Sequence, residues 1–348
     1  MFRPYSRADL HFELRAEIGA EGRNSQVYEA HDPQLDALLV IKKVSKASLD
    51  ADGYFRESSL LYGSAHSNVV PIHYACQDDG HVYLAMPMYA AGSLKSLMGR
   101  RFLTVRETVV FATQFLSGLH HIHSKRLVHF DIKPDNVLIS ERGEALLSDF
   151  GLAKPRGNGG VAGQDRLYSK MVPPEAFQTD HFDHRFDIYQ TGLTLYRMCM
   201  GDVEFYSQFD SYVVNDQLDR IAFRHAVTNS QFPNTTTGKF PEHIPERLIT
   251  VIKKCLQTNP ADRYSSAIEI VNDLAPIEGE LLDWQYQMGP DGRSWTKTHE
   301  GTEIALTLSP EGRSEATKRV NGGAPRRIAT YCGNQLNRQQ IKQFLREN

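Results

Sequence analysis

The chain has 348 residues, with 39 lysines and arginines against 42 aspartates and glutamates, so its formal net charge is −3. Hydrophobic residues make up 41% and charged residues 23%, which excludes a wholly disordered chain, and the near-neutral charge gives no indication of nucleic-acid binding. The length suggests two domains or three. Four scattered cysteines do not form a disulfide framework, and there is no apolar stretch of about 18 residues and no signal-peptide core. We therefore expect a cytoplasmic protein without a membrane span.

Residues 12–90 are predicted to form mostly β-strands with one helix. The apolar run Leu38–Val44 and the alternating run His81–Met88 are typical of strands. Between them, Tyr54–Ser64 carries apolar residues at helical spacing. The pattern indicates a small sheet accompanied by a single helix.

From Leu94 onward the pattern becomes helical. Thr104–Ser124 is long and amphipathic, whereas Asp187–Met200 is apolar almost all round, which predicts a buried helix. Two further helices are predicted over Ile244–Leu256 and Ser266–Leu274. This part of the chain therefore has a mainly helical core.

The last part of the chain changes character again. Ala275–Glu280 has the composition of a linker, and the short strands and the polar-faced helix predicted after it are Trp284–Met288, Ser294–Thr298, Glu303–Leu308 and Leu336–Arg346. Both tryptophans, Trp284 and Trp295, flank a Gly-Pro-Asp-Gly turn. They are interpreted as a cross-strand pair in a hairpin core, and a recognition surface is the alternative.

The segment Val128–Ile139 (VHFDIKPDNVLI) contains the most informative polar residues. Asp131, Lys133 and Asn136 lie between two apolar runs, and Asp149 follows within Ser-Asp-Phe-Gly. Asn136 and Asp149 are oxygen donors of the kind that Mg²⁺ prefers. Asp131 is suited to accept a hydroxyl proton, and Lys133 to neutralise a phosphate oxygen.

H-x-D-I-K-P-x-N followed by D-F-G resembles the catalytic and metal-binding loops of protein kinases, and the chain resembles the compact soluble bacterial members of the eukaryotic-type (Hanks-type) serine/threonine kinases. The resemblance implies an α+β bilobal fold. Its lobes would be a β-rich N-lobe with helix αC over residues 12–89 and a mainly helical C-lobe over residues 90–275. The strands and helix predicted after the linker indicate, in addition, a small accessory α+β domain over residues 281–348.

The resemblance also implies an activity and its site residues. The reaction would be Mg-ATP-dependent transfer of the γ-phosphate to serine and threonine hydroxyls of proteins, including autophosphorylation, with Mn²⁺ as an alternative metal. Asp131, Lys133, Lys42 and Glu57 would be catalytic, with Glu57 on helix αC orienting Lys42, and Asn136 and Asp149 would bind the metal. The residues implied to contact ATP are Ile18, Gly19, Gly22, Ser25, Val27, Val40, Lys42, Met86, Pro87, Tyr89 and Leu138.

The chain departs from the family pattern at two places, the phosphate-covering loop and position 130. Of the three glycine positions of the phosphate-covering loop only Gly22 is kept, and an ordinary hairpin turn remains the alternative for this loop. Phe130 stands where many kinases have the arginine that binds a phosphorylated activation segment. We therefore predict that activity does not depend on phosphorylation of the activation segment, defined as Gly151–Val172, whose hydroxyls nearest its end are Tyr168 and Ser169.

Three other matches are predicted to be architectural. Glu175 and Arg263 resemble a buried ion pair of the family, and Asp187 resembles the buried aspartate that braces the catalytic loop. Residues 281–348 match no kinase element. They are predicted to dock on the helical lobe, to select substrates or to bind a protein partner, and nucleic acid is not expected as a partner.

Two other functions stay open at this point. One is a non-catalytic kinase-like binding module, against which the complete set of Lys42, Asp131 and Asp149 argues. The other is a kinase-fold phosphotransferase acting on a small molecule, against which the form H-x-D-I-K-P-x-N argues.

Overall fold

The computed structural model describes residues 11–22, 25–48, 65–333 and 335–348. The chain divides into two compact units, Met1–Ala90 and Ala91–Asn348. The first unit is β-rich and the second is mainly helical with a sheet near its end, which confirms the predicted α+β class. The predicted helix Tyr54–Ser64, including Glu57, lies outside the described residues.

The first unit contains a five-stranded antiparallel sheet in the order β1-β2-β3-β5-β4. Both strands predicted from apolar patterning are present, each within about one residue of its expected ends. The strands are β1 (Glu13–Gly22), β2 (Ser25–Asp32), β3 (Ala37–Ser45), β4 (Tyr74–Gln77) and β5 (His81–Pro87), with a 3₁₀ turn at Lys46–Ser48.

This sheet carries buried apolar side chains on both faces, since alternate residues of a strand point to opposite sides and both sets include apolar residues. Ala30, Leu39, Ile41 and Ala85 form one buried cluster. A second buried cluster consists of Val44, Val82 and Leu84. Strand β3 therefore supplies side chains to both faces, which explains why it reads as a nearly continuous apolar run.

The second unit begins with seven helices. Their bounds are α1 (Leu94–Arg100), α2 (Val105–Ser124), α3 (Arg185–Met200), α4 (Asp202–Asp210), α5 (Arg220–Thr228), α6 (Glu246–Cys255) and α7 (Ala267–Leu274). Helix α2 starts at a capping box, in which Thr104 and Glu107 accept each other's main-chain N–H. Every residue of α3 from Phe186 to Met200 is buried, as its composition predicts.

Short strand pairs and 3₁₀ turns connect these helices. The pairs are β6 (Leu127–Val128) with β9 (Lys154–Pro155), β7 (Val137–Ile139) with β8 (Ala145–Leu147), β10 (Ala162–Gly163) with β11 (His181–Phe182), and β12 (Val213–Val214) with β13 (Gln217–Leu218). The 3₁₀ turns are Pro134–Asn136, Ser169–Met171, Pro174–Phe177, Thr237–Lys239 and Pro260–Asp262.

A second five-stranded antiparallel sheet, in the order β14-β15-β16-β17-β18, ends the chain. Its elements are β14 (Gln285–Gly289), β15 (Gly292–His299), β16 (Thr302–Leu308), β17 (Ser314–Val320), β18 (Arg326–Arg327), a 3₁₀ turn at Ala329–Tyr331 and helix α8 (Arg338–Glu347). Strand β17 was not expected, because its sequence SEATKRV is mostly polar and only Ser314 and Ala316 are buried.

The two tryptophans lie in the core of this second sheet, but they are not opposite each other. Trp295 pairs with Tyr286 across β14 and β15, and the predicted pairing with Trp284 is therefore wrong. Trp284 packs on Phe344 of α8, with ring centroids 5.8 Å apart. Both tryptophans are fully buried, so they do not form a recognition surface.

The segment 281–348 packs firmly on the helical part of the same unit. The rings of Phe102 and Tyr286 meet edge to face at 4.9 Å, and Arg106 forms a bidentate pair with Asp283. Within the described ranges, no helix is long and apolar enough to cross a membrane.

Candidate active site

The buried carboxylate of Asp187 holds the main chain of the loop after β6 through hydrogen bonds. Asp187, at the start of α3, accepts the main-chain N–H groups of His129 and Phe130 at 2.8 Å each. It also accepts from Nε2 of His123 at 2.7 Å. Burial acts to raise the pKa of Asp187, but the hydrogen bond from His123 and the N–H donors outweigh it and lower the pKa. The predicted bracing of the loop by Asp187 is therefore present.

Two further polar side chains of α3 hold the same loop. Gln190 accepts the main-chain N–H of Ile132 at 2.9 Å and donates to the main-chain oxygens of Phe130 and Met171. Thr194 donates to the oxygen of Ile132. Neither residue was predicted from the sequence. Their signal is a polar line at positions 187, 190 and 194 of an otherwise apolar helix, three and four residues apart, which places them on one face.

Asp131, Lys133 and Asn136 are brought into direct contact. The Asn136 amide donates to the main-chain oxygen and to Oδ2 of Asp131, each at 2.8 Å. The Lys133 ammonium lies 3.0 Å from the same Oδ2. Burial lowers the pKa of Lys133, but the Asp131 carboxylate and the hydrogen bond to it more than offset this effect, so the pKa lies above its ordinary value.

The second carboxylate oxygen of Asp131 has a different environment. Oδ1 is buried and has no hydrogen-bond partner among the described residues. A buried acceptor without a partner carries a free-energy cost, and such atoms are expected where a ligand or substrate will supply the donor. The Asp131 carboxylate is therefore held in place through Oδ2, and its Oδ1 atom is left to accept a hydrogen bond from a substrate.

Asp149 is positioned by the hairpin of β7 and β8. The pairing of Val137 with Leu147 places Asn136 and Ser148 at the same end of this hairpin, and the Ser148 N–H donates to the Asn136 oxygen at 2.8 Å. Asp149 follows at once, exposed and with a left-handed backbone (φ 57°). A non-glycine residue in this conformation is uncommon and is concentrated at functional sites.

His129 connects the two loops. It donates through Nε2 to the Ser148 oxygen at 3.1 Å and accepts the Asp131 N–H at Nδ1. Burial lowers its pKa, so the ring is neutral and each nitrogen keeps one role. Its ring also contacts Phe150, with centroids 4.7 Å apart.

The side chain of Phe130 is completely buried in an apolar cluster. The cluster consists of Val128, Phe130, Ala162, Phe182 and Phe186, with Leu152, Leu167 and Ala176 packed against it. The Phe130 ring lies 5.1 Å from that of Phe186 and 6.0 Å from that of Phe182. Apolar packing therefore joins the catalytic loop to the activation segment.

The end of the activation segment lies over the catalytic loop. The Lys133 ammonium is 4.7 Å from the centre of the Tyr168 ring. Lys170 lies in the same way over Tyr206 and Phe209 of α4, at 4.4 and 4.7 Å. Tyr168 was singled out in the sequence only for its hydroxyl, because its contact with Lys133 depends on a tertiary approach that no local pattern shows.

Three ion pairs, formed by the carboxylates of Glu175 and Asp135, hold the residues around the site. Arg263 donates to both carboxylate oxygens of Glu175, at 2.8 and 2.6 Å, so the predicted pair is present. Asp135, between Lys133 and Asn136, was not singled out in the sequence. It pairs with Lys95 at 2.6 Å and with the buried Arg197 at 3.5 Å.

Four of the residues predicted to contact ATP lie on one face of the first unit's sheet. Val27 is opposite Lys42, and Val40 is opposite Met86. Opposed residues share a face, and Val40 and Lys42 are two apart on β3, so all four lie on the same side. Of the remaining residues, Ile18, Gly19 and Gly22 lie in β1, Ser25 begins β2, Pro87 ends β5, Tyr89 follows that strand, and Leu138 lies in β7 of the second unit.

The class of the protein is defined by four features described above. They are the loop with Asp131, the loop with Asp149, helix α3 that holds the first of these loops, and the five-stranded sheet of the first unit. The family model for the protein kinase domain matches residues 12–274, so the chain belongs to the protein kinase family. The family model ends before the segment 281–348.

Among curated proteins, the chain is similar to bacterial kinases. It is 26% identical over 322 residues to a probable serine/threonine-protein kinase of Clostridium acetobutylicum, covering 90% of this chain and 46% of that protein. It is 27% identical over 320 residues to the serine/threonine-protein kinase PknJ of Mycobacterium tuberculosis, covering 86% and 52%. For PknL of the same organism the identity is 27% over 281 residues, covering 78% and 67%. The chain thus spans about half the length of the first two relatives.

Proposed function

We propose that the chain is an ATP-dependent protein kinase that phosphorylates serine and threonine hydroxyls. The observation that carries the proposal is the environment of Asp131. Its Oδ2 atom is fixed by Asn136 and Lys133, and its buried Oδ1 atom has no partner within the described residues. A carboxylate presented in this way is suited to accept a hydrogen bond from an incoming hydroxyl. The names of the relatives, serine/threonine-protein kinases, support this choice of acceptor.

The transfer assigns a separate task to each polar group. Asp131 orients the acceptor hydroxyl and takes its proton as the new bond forms between oxygen and the γ-phosphorus and the bond to ADP breaks. Lys133, whose raised pKa keeps it charged, neutralises the transferred phosphoryl group. Lys42 would hold the α- and β-phosphates, with Glu57 as its expected orienting partner.

The oxygen donors of the site fit a divalent cation. Both hydrogens of the Asn136 amide are used on Asp131, so the amide oxygen is the atom that remains for a metal. Asp149 adds an exposed carboxylate. These two residues would hold Mg²⁺, or Mn²⁺ in its place, and the cation would neutralise phosphate charge when bound. The family implies ATP and a divalent metal, and the choice of Mg²⁺ is our proposal.

The ATP site is proposed to use the face of the first sheet that carries Val27, Val40, Lys42 and Met86. Apolar side chains on such a face are suited to the adenine ring, and a lysine among them to the phosphates. The remaining proposed contacts are Ile18, Gly19, Gly22, Ser25, Pro87, Tyr89 and Leu138. A cytoplasmic location and a protein partner for the segment 281–348 also stay proposals.

One assay tests the function. The purified full chain is incubated with Mg²⁺ and γ-labelled ATP, with dephosphorylated casein as acceptor and with a metabolite extract in parallel. We expect label on serine and threonine of protein, and a loss of label on the order of 10²-fold or more in the isosteric Asp131→Asn variant. Label on a small molecule alone would favour a metabolite phosphotransferase, and no label on either would favour a binding module. Full activity in Asp149→Ala would refute the metal assignment.

A further inference from the structure

The Tyr168 side chain lies next to the groups assigned to phosphoryl transfer. The Lys133 ammonium makes two contacts, one with the Asp131 carboxylate oxygen at 3.0 Å and one with the Tyr168 ring, whose centre is 4.7 Å from Nζ. Only 13% of the Lys133 side chain is exposed. A cation is attracted to the face of an aromatic ring, and the attraction grows as water is removed from the contact. The geometry therefore favours a contact that restrains the ammonium.

The hydroxyl of Tyr168 has no comparable contact. Across the described ranges it makes no hydrogen bond, whereas the main-chain oxygen of the residue accepts from the Met171 N–H at 2.8 Å. Tyr168 is 42% exposed, so it is not a core residue. What the side chain contributes to the site is its aromatic face.

The main chain around Tyr168 is fixed to the same helix as the catalytic loop. Gln190 of α3 donates to the main-chain oxygens of both Phe130 and Met171, which joins the catalytic loop to the 3₁₀ turn that follows Tyr168. Lys170 of that turn lies over the rings of Tyr206 and Phe209. The main chain that carries the Tyr168 ring is therefore connected, through Gln190, to the loop that carries Lys133.

We propose that Tyr168 is a positioning residue, whose ring face holds the Lys133 ammonium beside Asp131. A lysine side chain is long and loses considerable rotamer freedom when it must stay in one place. If the ring restrains the lysine before the reaction, less conformational entropy is lost when the ammonium is held in place during the transfer. The inference rests on the proposed kinase function, and it adds that the aromatic ring, not the hydroxyl, is required at this position.

The test compares three substitutions at position 168 in the full chain, with casein as acceptor. Tyr168→Phe and Tyr168→Trp keep an aromatic face, and we expect both to retain most of the activity. Tyr168→Leu removes the face, and we expect kcat to fall roughly 3- to 30-fold. The KM for ATP should stay the same, because Lys133 acts on the group in transfer. Circular dichroism and thermal unfolding establish that each variant is folded.

A double-mutant cycle with Lys133→Met distinguishes an effect of the Tyr168 ring on Lys133 from a general structural effect of the ring. If the ring acts through Lys133, Tyr168→Leu should cause little further loss in the Lys133→Met background. Lys254→Met is the matched control, because it removes a cation–ring contact, with Tyr264 at 4.0 Å, that involves neither Tyr168 nor Lys133. Its effect on kcat should be small and equal in both backgrounds.

Three results would overturn the inference. They are full activity in Tyr168→Leu, an equal loss in Tyr168→Phe and Tyr168→Leu, or the same loss in both backgrounds of the cycle. An inactive wild-type chain would instead refute the proposed function, so the two failures are distinguishable.

Discussion

The side-chain amide of Asn136 donates to Oδ2 of Asp131 over 2.8 Å, and its second hydrogen is used on the main-chain oxygen of the same residue. The orientation of the proposed base therefore depends on the proposed metal ligand. Replacing Asn136 by aspartate keeps an oxygen for the metal but puts a second carboxylate against Asp131. We expect kcat to fall about 10²-fold or more, measured with labelled ATP and casein.

Asn229→Asp is the matched control for this substitution. Asn229 is exposed at the end of α5 and donates to the His225 oxygen, far along the chain from the catalytic loop. Its conversion should leave kcat unchanged. If Asn136→Asp retained wild-type activity, the hydrogen bond to Asp131 would have no role in catalysis.

The activation segment is joined to the catalytic loop by the apolar cluster around Phe130, so phosphorylation is not needed to supply a charged contact there. We predict that phosphatase treatment of the purified chain, checked by mass spectrometry, leaves most of its activity. The Ser169→Ala, Tyr168→Phe double variant should behave in the same way. A large loss in either experiment would contradict this prediction.

The Phe130 cluster should be needed whether or not the chain is phosphorylated. Phe130 is fully buried, and its truncation to alanine should lower the free energy of unfolding by about 3–5 kcal/mol. Urea unfolding measures this loss. The Phe130→Leu variant, which restores most of the apolar volume, should recover most of the stability and activity.

Local patterns predicted those parts of the fold and site that depend on local chemistry. The strand carrying Lys42 and the buried helix after Arg185 follow from runs and periods of apolar residues. Strand β17 was missed because it lies near the edge of its sheet with mostly exposed polar side chains. The contact of Tyr168 with Lys133 could not be predicted, since 35 residues separate them in the sequence and only the tertiary fold brings them together.

The segment 281–348 is joined to the helical part of its unit through the buried carboxylate of Glu242. Only 4% of this side chain is exposed, and it pairs with Arg293 of β15 and with Arg338 of α8. Removing both arginines leaves a buried charge without these partners. We expect the Arg293→Ala, Arg338→Ala variant to lose about 3–5 kcal/mol of unfolding free energy.

Glu242→Gln added to that double variant should restore part of the lost stability, because it removes the buried charge. Each single arginine variant should lose less than the pair, since one cation remains. Chemical denaturation of the full chain measures all four proteins. An unchanged stability in the double variant would show that the segment is not held through Glu242.

His243 makes the same interface sensitive to pH. Its Nδ1 accepts the Trp295 indole N–H at 3.3 Å, and its ring lies 5.4 Å from that of Tyr286. Burial lowers the pKa of His243 from 6.5 to about 3. Between these two values the unfolded chain binds a proton at this position and the folded chain does not. His243 therefore does not lower the free energy of unfolding above pH 6.5, and its protonation in the unfolded chain lowers that free energy as the pH decreases from 6.5 toward 3.

The loss due to His243 should be about 1.4 kcal/mol per pH unit across that window. The buried His123 and His129, whose pKa values are also lowered by burial, add to the wild-type slope with the same sign. His243→Asn keeps an acceptor for Trp295 but does not titrate, so its stability should fall less steeply between pH 7 and pH 5, by about one proton's contribution. His299→Asn is the control, because that side chain is 79% exposed in the folded chain. Equal slopes in the wild type and His243→Asn, obtained by urea unfolding at each pH, would show that His243 is not neutral in the folded protein.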